Sequence, residues 1–173
     1  MITITVEDCN YISKELYDSV INSLQFHQLE CSCGHHGCLT IHGYYYRSVK
    51  NPGGTIRLRI LRLICSECGS THAVHLSLIV PYSQVPLIDH QQIILAYEQG
   101  EDPRKAVPED SEIDENNIKS VLRAFRRHWK ERLRSEGISL TPVLALIAQC
   151  FSFYSAQFMQ IHRTCNTLFV KTT

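Results

Sequence analysis

At 173 residues, 44% of them apolar, the chain is long enough for one domain or two small ones and apolar enough to build a core. Its formal net charge is zero, which excludes a uniformly basic nucleic-acid-coating protein, but the charge is unevenly spread. Residues 41–64 hold Arg47, Lys50, Arg57, Arg59 and Arg62 with no acid; residues 98–115 hold eight acids against Arg104 and Lys105; residues 115–136 return to seven Lys or Arg against three Glu. Such alternation is expected of a basic binding face on an otherwise acidic protein.

The first ten residues, "MITITVEDCN", lack a basic stretch followed by an apolar one, so no secretory signal is expected. A cytoplasmic, reducing setting would keep the eight cysteines out of disulfides. Residues 1–30 read as a short strand, "ITITV", and a helix bearing Leu16, Tyr17, Val20, Ile21 and Leu24. No function attaches to them.

The next stretch, "ECSCGHHGCLTIHG", crowds Cys31, Cys33 and Cys38 together with His35, His36 and His42. A disulfide staple, a reactive thiol and a metal site compete to explain it. Downstream, "RLICSECGSTHAV" adds Cys65 and Cys68 in a C-x-x-C-G knuckle. Zinc takes four tetrahedral thiolate or imidazole ligands, and structural sites draw two from each of two turns. The glycine after the second cysteine permits positive φ, which lets amide N–H groups point at sulfur. Between the clusters, "IHGYYYRSVKNPGGTIRLRILRLI" reads as strand, "NPGG" turn and strand, with Ile56, Leu58 and Ile60 on one side and Arg57 and Arg59 on the other. Two cysteine turns flanking a hairpin predict a zinc ribbon over residues 31–80. Five cysteines compete for four places: Cys65 and Cys68 with two of Cys31, Cys33 and Cys38, while His35, His36 or His42 could substitute. A redox C-x-x-C usually belongs to a βαβ context that is missing here, and no orienting group can be named for a catalytic Cys–His pair. Cys9, Cys150 and Cys165 are isolated and read as ordinary buried thiols.

From residue 87 the pattern turns helical. "LIDHQQIILAYEQG" has Asp89 as a candidate N-cap and Gly100 as a stop; Asp102 and Pro103 open a very short helix ended by Pro108. Asp114 caps a long helix up to Gly137, with Ile118, Val121, Leu122, Phe125, Trp129 and Leu133 as its apolar stripe. Lys119, Arg123, Arg126, Arg127, Lys130 and Arg134 form a basic stripe beside it. Helix, short helix and long basic helix over 87–137 match the layout of a helix-turn-helix. The tail, 138–173, begins with 24 residues free of charge, but Gln149, Ser152, Ala156 and Gln160 make a polar or small stripe. A packing helix is therefore expected there, and no membrane span.

The ordered set "C-x-C-G", "HGYYYR", "RLRILRLICSECGSTHA" and "VPYS" resembles the bacterial family known as domain of unknown function 6431. Members of that family look like transposon-associated zinc-ribbon and helix-turn-helix proteins. More distantly, "HGYYYR…RLICSECG" resembles the zinc-binding N-terminal region of insertion-sequence transposases. The resemblance implies Cys65 and Cys68 as ligands, and Cys33 with Gly34 as the second half of a C-P-x-C-G knuckle. Glu30 stands where that knuckle has its first cysteine, Cys31 sits one place later, and Cys38 is extra.

The expectation is an α+β chain, a zinc-ribbon hairpin followed by a helix-turn-helix-like helical half, that binds Zn2+ and DNA. Arg47, Lys50, Arg57 and Arg59 of the hairpin would join the basic helix in contacting DNA. The charge-free tail would serve self-association or a transposition partner. No catalytic residue is assigned: metal-dependent nucleases need several carboxylates around paired ions on a larger fold, and the acids here cluster in one loop. A zinc-stabilised protein-interaction module is the alternative.

Overall fold

The computed structural model describes residues 1–6, 9–126 and 168–171. In chain order these form β1 (Ile2–Thr5), α1 (Lys14–Ser23), β2 (Leu39–Asn51), β3 (Gly54–Cys65), β4 (Thr71–Leu76), α2 (Leu87–Gln99), α3 (Glu115–Ala124) and β5 (Leu168–Lys171). Short 3-10 turns lie at Phe26–Gln28 and Pro103–Ala106. The class is α+β, with one sheet in the order β2-β3-β4-β1-β5. Of the C-terminal packing helix expected over 138–173, only Leu168–Lys171 is described, and it is the strand β5, paired with β1; Cys150, Cys165 and the long helix beyond Arg126 lie outside the described residues. Among the described residues no helix is long and apolar enough to cross a membrane.

The "NPGG" turn reverses the chain between β2 and β3 as expected. Gly53 and Gly54 take φ of +79° and +126°, where a Cβ would clash with the backbone. β4 runs antiparallel to β3, pairing Arg62 with Ala73 and Ile64 with Thr71. β1 runs parallel to both β4 and β5. Two compact units emerge, interleaved along the chain: Met1–Ser48, Ile56–Leu78 and His162–Thr173 make one, Val49–Thr55 and Ile79–Ile161 the other.

In the sheet unit, Ile2, Thr3 and Ile4 are all fully buried, so β1 is covered on both faces, as parallel strands usually are. Ile60, Leu61, Leu63, Val74 and Leu76 are buried as completely. α1 starts where the Ser13 hydroxyl accepts the Leu16 N–H at 3.0 Å, which satisfies an amide the helix leaves unpaired. Of its expected apolar face only Tyr17 is fully buried. The Tyr17 hydroxyl accepts the Leu61 N–H and donates to the Val74 carbonyl, both at 2.9 Å, tying the helix to β3 and β4 at once. Tyr45 shares a 2.8 Å hydrogen bond with His75. Burial first, and then the charge of Arg47, push that imidazole's pKa down to about 3, so His75 is neutral. Cys9, expected to be buried, is exposed in the connection between β1 and α1.

In the helical unit, Val80, Val85, Ile93, Ile94, Ile118, Val121, Leu122 and Phe125 form one core. Gly100 ends α2 in the left-handed conformation at φ 76°, as expected. The start of α2 differs: Pro86 is the N-cap and Asp89 is buried in the first turn. The rigid φ of proline sets up the entry, and the Pro86 carbonyl accepts the His90 N–H at 3.0 Å. Asp102 caps the 3-10 turn through the Arg104 N–H. Asp114 caps α3 in a full capping box with Asn117.

The acidic loop has a structural use. The hairpin tip belongs to this unit, and Pro52 bridges Ser111 while the Gly53 N–H donates to the Asp110 carbonyl. Thr55 bonds the Glu112 carboxylate. Lys50 Nζ meets the Glu112 carbonyl at 2.7 Å, Asn117 Oδ1 at 2.7 Å and Asp114 Oδ2 at 3.4 Å.

Tyr17→Phe should lower stability by about 1–3 kcal/mol in urea, because the buried Leu61 N–H loses its acceptor and the Val74 carbonyl its donor, with little change in packing volume. A second expectation concerns pH. The Asn117 N–H, opposed by some desolvation and reinforced by Lys50, holds the Asp114 carboxyl below its ordinary pKa. Such a group stabilises the fold above its unfolded pKa, and the contribution is lost as pH falls through the lower folded value. Asp114→Asn, which still caps, should therefore show a shallower acid-side loss of helix signal by circular dichroism.

Candidate metal centre

The two cysteine turns arrive at one point of the sheet unit. In the first, Glu30 bridges His36, the Cys31 N–H donates to the His35 carbonyl at 2.9 Å, and the Gly34 N–H donates to the Cys31 carbonyl at 2.8 Å. Gly34 sits at φ +86°. The second turn closes as β3 ends: the Gly69 N–H donates to the Cys65 carbonyl at 3.0 Å, with Gly69 at φ +69°. The glycine after each pair is thus in the conformation expected of a knuckle. A Ser66 N–H to Cys38 carbonyl bond of 2.8 Å ties the turns together.

The sulfurs of Cys31, Cys33, Cys65 and Cys68 all lie within 4.8 Å of one another. Cys31 Sγ is 3.7 Å from Cys68 Sγ, and Cys33 Sγ is 3.8 Å from Cys65 Sγ. A tetrahedral ion with metal–sulfur bonds of about 2.3 Å requires sulfur–sulfur edges of about 3.8 Å. Two edges joining opposite turns already have that length, so the four thiols could hold a metal ion. Cys31 and Cys65 are buried and Cys33 and Cys68 exposed, which places the quartet at the surface of the unit.

Electrostatics point the same way. Burial pushes the Cys65 thiol up, but the amide N–H of Cys68 (3.5 Å from its sulfur), the Cys38 thiol and the Glu67 amide outweigh it, and its pKa falls to about 6. Hydrogen bonds from Ser70 lower Cys68. At Cys33 the His35 amide pulls downward, yet desolvation and the neighbouring thiols of Cys31, Cys68 and Cys65 raise the pKa to about 12. Four sulfurs this close cannot all ionise alone, because each thiolate holds the next proton on. A divalent cation removes that conflict.

Of the five cysteines offered by the sequence, Cys38 is the one outside the quartet. It is buried, its thiol bonds the His35 carbonyl at 3.3 Å, and desolvation with Cys65 raises its pKa to about 11. His35, His36 and His42 are exposed; His35 Nδ1 is 3.4 Å from Cys33 Sγ and His36 faces Glu30 at 3.8 Å. His72 is not singled out by cysteine and histidine spacing in the sequence. It is buried beside the quartet, its Nε2 3.3 Å from Cys31 Sγ, and burial lowers its pKa. Only the pairing of β4 with β3 brings it there.

The family described as a domain of unknown function (DUF6431) matches residues 30–120, more than half of the chain. The protein belongs to the DUF6431 family. The matched span holds the quartet, the hairpin and α2, and ends inside α3. No curated protein and no solved structure matches the chain.

The cationic residues separate into distinct environments. In this DUF6431 protein Lys50, offered as a nucleic-acid contact, has its three ammonium donors directed at three internal acceptors and a side chain only 14% exposed. Arg47 is half-buried and close enough to His75 to depress its pKa. Arg57 and Arg59 are exposed on β3; Lys119, Arg123 and Arg126 are exposed on α3. Lys119 pairs with Glu115 at 2.9 Å and Arg126 stacks over Tyr97 at 5.2 Å. Arg127, Lys130 and Arg134 lie outside the described residues.

Each of Cys31→Ser, Cys33→Ser, Cys65→Ser and Cys68→Ser should lose bound metal, while Cys38→Ser retains one equivalent per chain by elemental analysis. Loss of metal from Cys38→Ser would show that the quartet is not the ligand set.

Proposed function

We propose that the quartet holds one Zn2+, that the hairpin above it is a zinc ribbon, and that the protein is a non-catalytic DNA-binding protein of a mobile element, regulatory or accessory to a transposase. The observation that carries the reading is the all-thiol quartet. Four cysteines fill a tetrahedral ion and leave no position for water or substrate, which is the signature of a structural site. In such sites binding free energy is folding free energy. The zinc would secure the geometry of the hairpin.

DNA binding is supported by the acid-free stretch 41–64, with Arg57 and Arg59 exposed, and by the cationic exposed side of α3. The order α2, 3-10 turn, α3 suits a helix-turn-helix in which α3 enters the major groove. Lys119 would contact phosphate, and Arg123 or Arg126 could read a guanine edge bidentately. The mobile-element setting rests on the likeness of "HGYYYR…RLICSECG" to transposase zinc regions.

Duplex DNA binding followed by fluorescence anisotropy should weaken steeply as salt rises. Arg123→Ala should leave the fold intact, because Arg123 lies outside the core. It should flatten the salt slope by about one if Arg123 meets phosphate, or cost about 1–3 kcal/mol at one base pair if it reads a base. Absence of binding to any nucleic acid, duplex or single-stranded, at any salt would leave the ribbon as a protein-interaction module.

A further inference from the structure

We propose that the outer face of the β2–β3 hairpin binds an unpaired nucleic-acid strand, its phosphates held by Arg57 and Arg59 and its bases stacked on Tyr44 and Tyr46. This rests on the nucleic-acid reading above and names the form of nucleic acid that this face takes. Tyr44 and Tyr46 are large apolar groups left 43% and 61% exposed. Each is partnered across the hairpin: the Arg59 guanidinium lies 3.8 Å from the Tyr44 ring centre and the Arg57 guanidinium 4.3 Å from that of Tyr46. The two rungs step by two residues along both strands, in opposite chain directions, so they share one face.

Three features of the ladder select the ligand. Its charge is positive without opposition: among the described residues neither guanidinium meets a carboxylate, and no acid occurs in residues 41–64. Its spacing suits a chain of phosphates. Positions two apart on a strand are separated by about 6.6–6.8 Å, a reach over which neighbouring phosphates of an extended strand can meet neighbouring guanidiniums. Its chemistry suits bases. A guanidinium held over a ring is already ordered, so less freedom is lost on binding. Aromatic and guanidinium planes on an open sheet face accept bases that are splayed out of a helix. Bases in a duplex are stacked on each other and offer no such faces. The groove-reading role therefore stays with α3, and the hairpin takes the single strand.

The test uses the full-length, metal-loaded protein with two labelled probes, a thymidine oligonucleotide and a self-complementary duplex hairpin. Combined Tyr44→Ala and Tyr46→Ala should weaken binding of the single strand tenfold or more and leave duplex binding within about twofold. Tyr44→Phe with Tyr46→Phe should keep wild-type single-strand affinity, since stacking needs the ring and not the hydroxyl. Arg57→Ala with Arg59→Ala should weaken single-strand binding and flatten its salt dependence. One equivalent of metal per chain confirms that each variant is folded; if the double alanine variant loses its metal, Tyr46→Ala alone replaces it. Unchanged single-strand affinity in the alanine variant, equal losses on both probes, or a phenylalanine variant as weak as the alanine one would overturn the proposal. If the alanine variant is unaffected while Arg123→Ala loses the duplex, the DNA reading stands and this one falls. Binding to neither probe removes both and leaves the face to an acidic protein.

Discussion

Convergence of four sulfur atoms at the base of a long hairpin is the constraint on which the sheet unit depends. The turn at Cys31 and Cys33 precedes β2, and the turn at Cys65 and Cys68 follows β3, so bringing the sulfurs together aligns both ends of the hairpin in one step. Left to themselves the thiols oppose this, because their protons come off against one another's charge. Positive-φ glycines and inward amides make the turns, and a cation at the centre would make their meeting favourable. The second turn also delivers the chain into β4, which pairs with β3 on one side and β1 on the other. The first strand of the protein thus owes its place to a cysteine turn more than sixty residues away.

The hairpin passes from one compact unit to the other. Its base closes at the cysteines, and its tip joins the helices through Lys50, Pro52, Gly53 and Thr55. Several residues of the acidic stretch 98–115 take part in these joints. Asp102 and Asp114 cap helical turns, Glu112 and Asp114 meet Lys50, and the Asp110 carbonyl takes the Gly53 amide.

Charge that is consumed internally has to be separated from charge that remains for a partner. Lys50 belongs to the first class; Arg57, Arg59 and Arg123 are left exposed. The same distinction applies to aromatic rings on β2, where Tyr45 is half-buried against His75 while its neighbours Tyr44 and Tyr46 face outward with an arginine on each. Alternation along one strand gives consecutive tyrosines opposite duties.

The sequence by itself determined the local chemistry: two glycine-closed cysteine turns, a hairpin reversed at "NPGG", and caps at Asp102, Asp114 and Gly100. These depend on neighbouring residues, on φ preferences and on side chains that reach only a few positions along the chain. Tertiary structure decided what depends on distance in space. It chose Cys31, Cys33, Cys65 and Cys68 and left Cys38 aside, because spacing alone cannot say which of three clustered thiols will face a turn thirty residues on. It moved the start of α2 from Asp89 to Pro86, since a buried carboxylate in the first turn is shaped by packing. It brought His72 to the cysteines through strand pairing, turned Lys50 inward, and set Arg57 and Arg59 on tyrosines of the facing strand. Each of those outcomes follows from which strand lies beside which, and register is a property of two segments that neither carries alone.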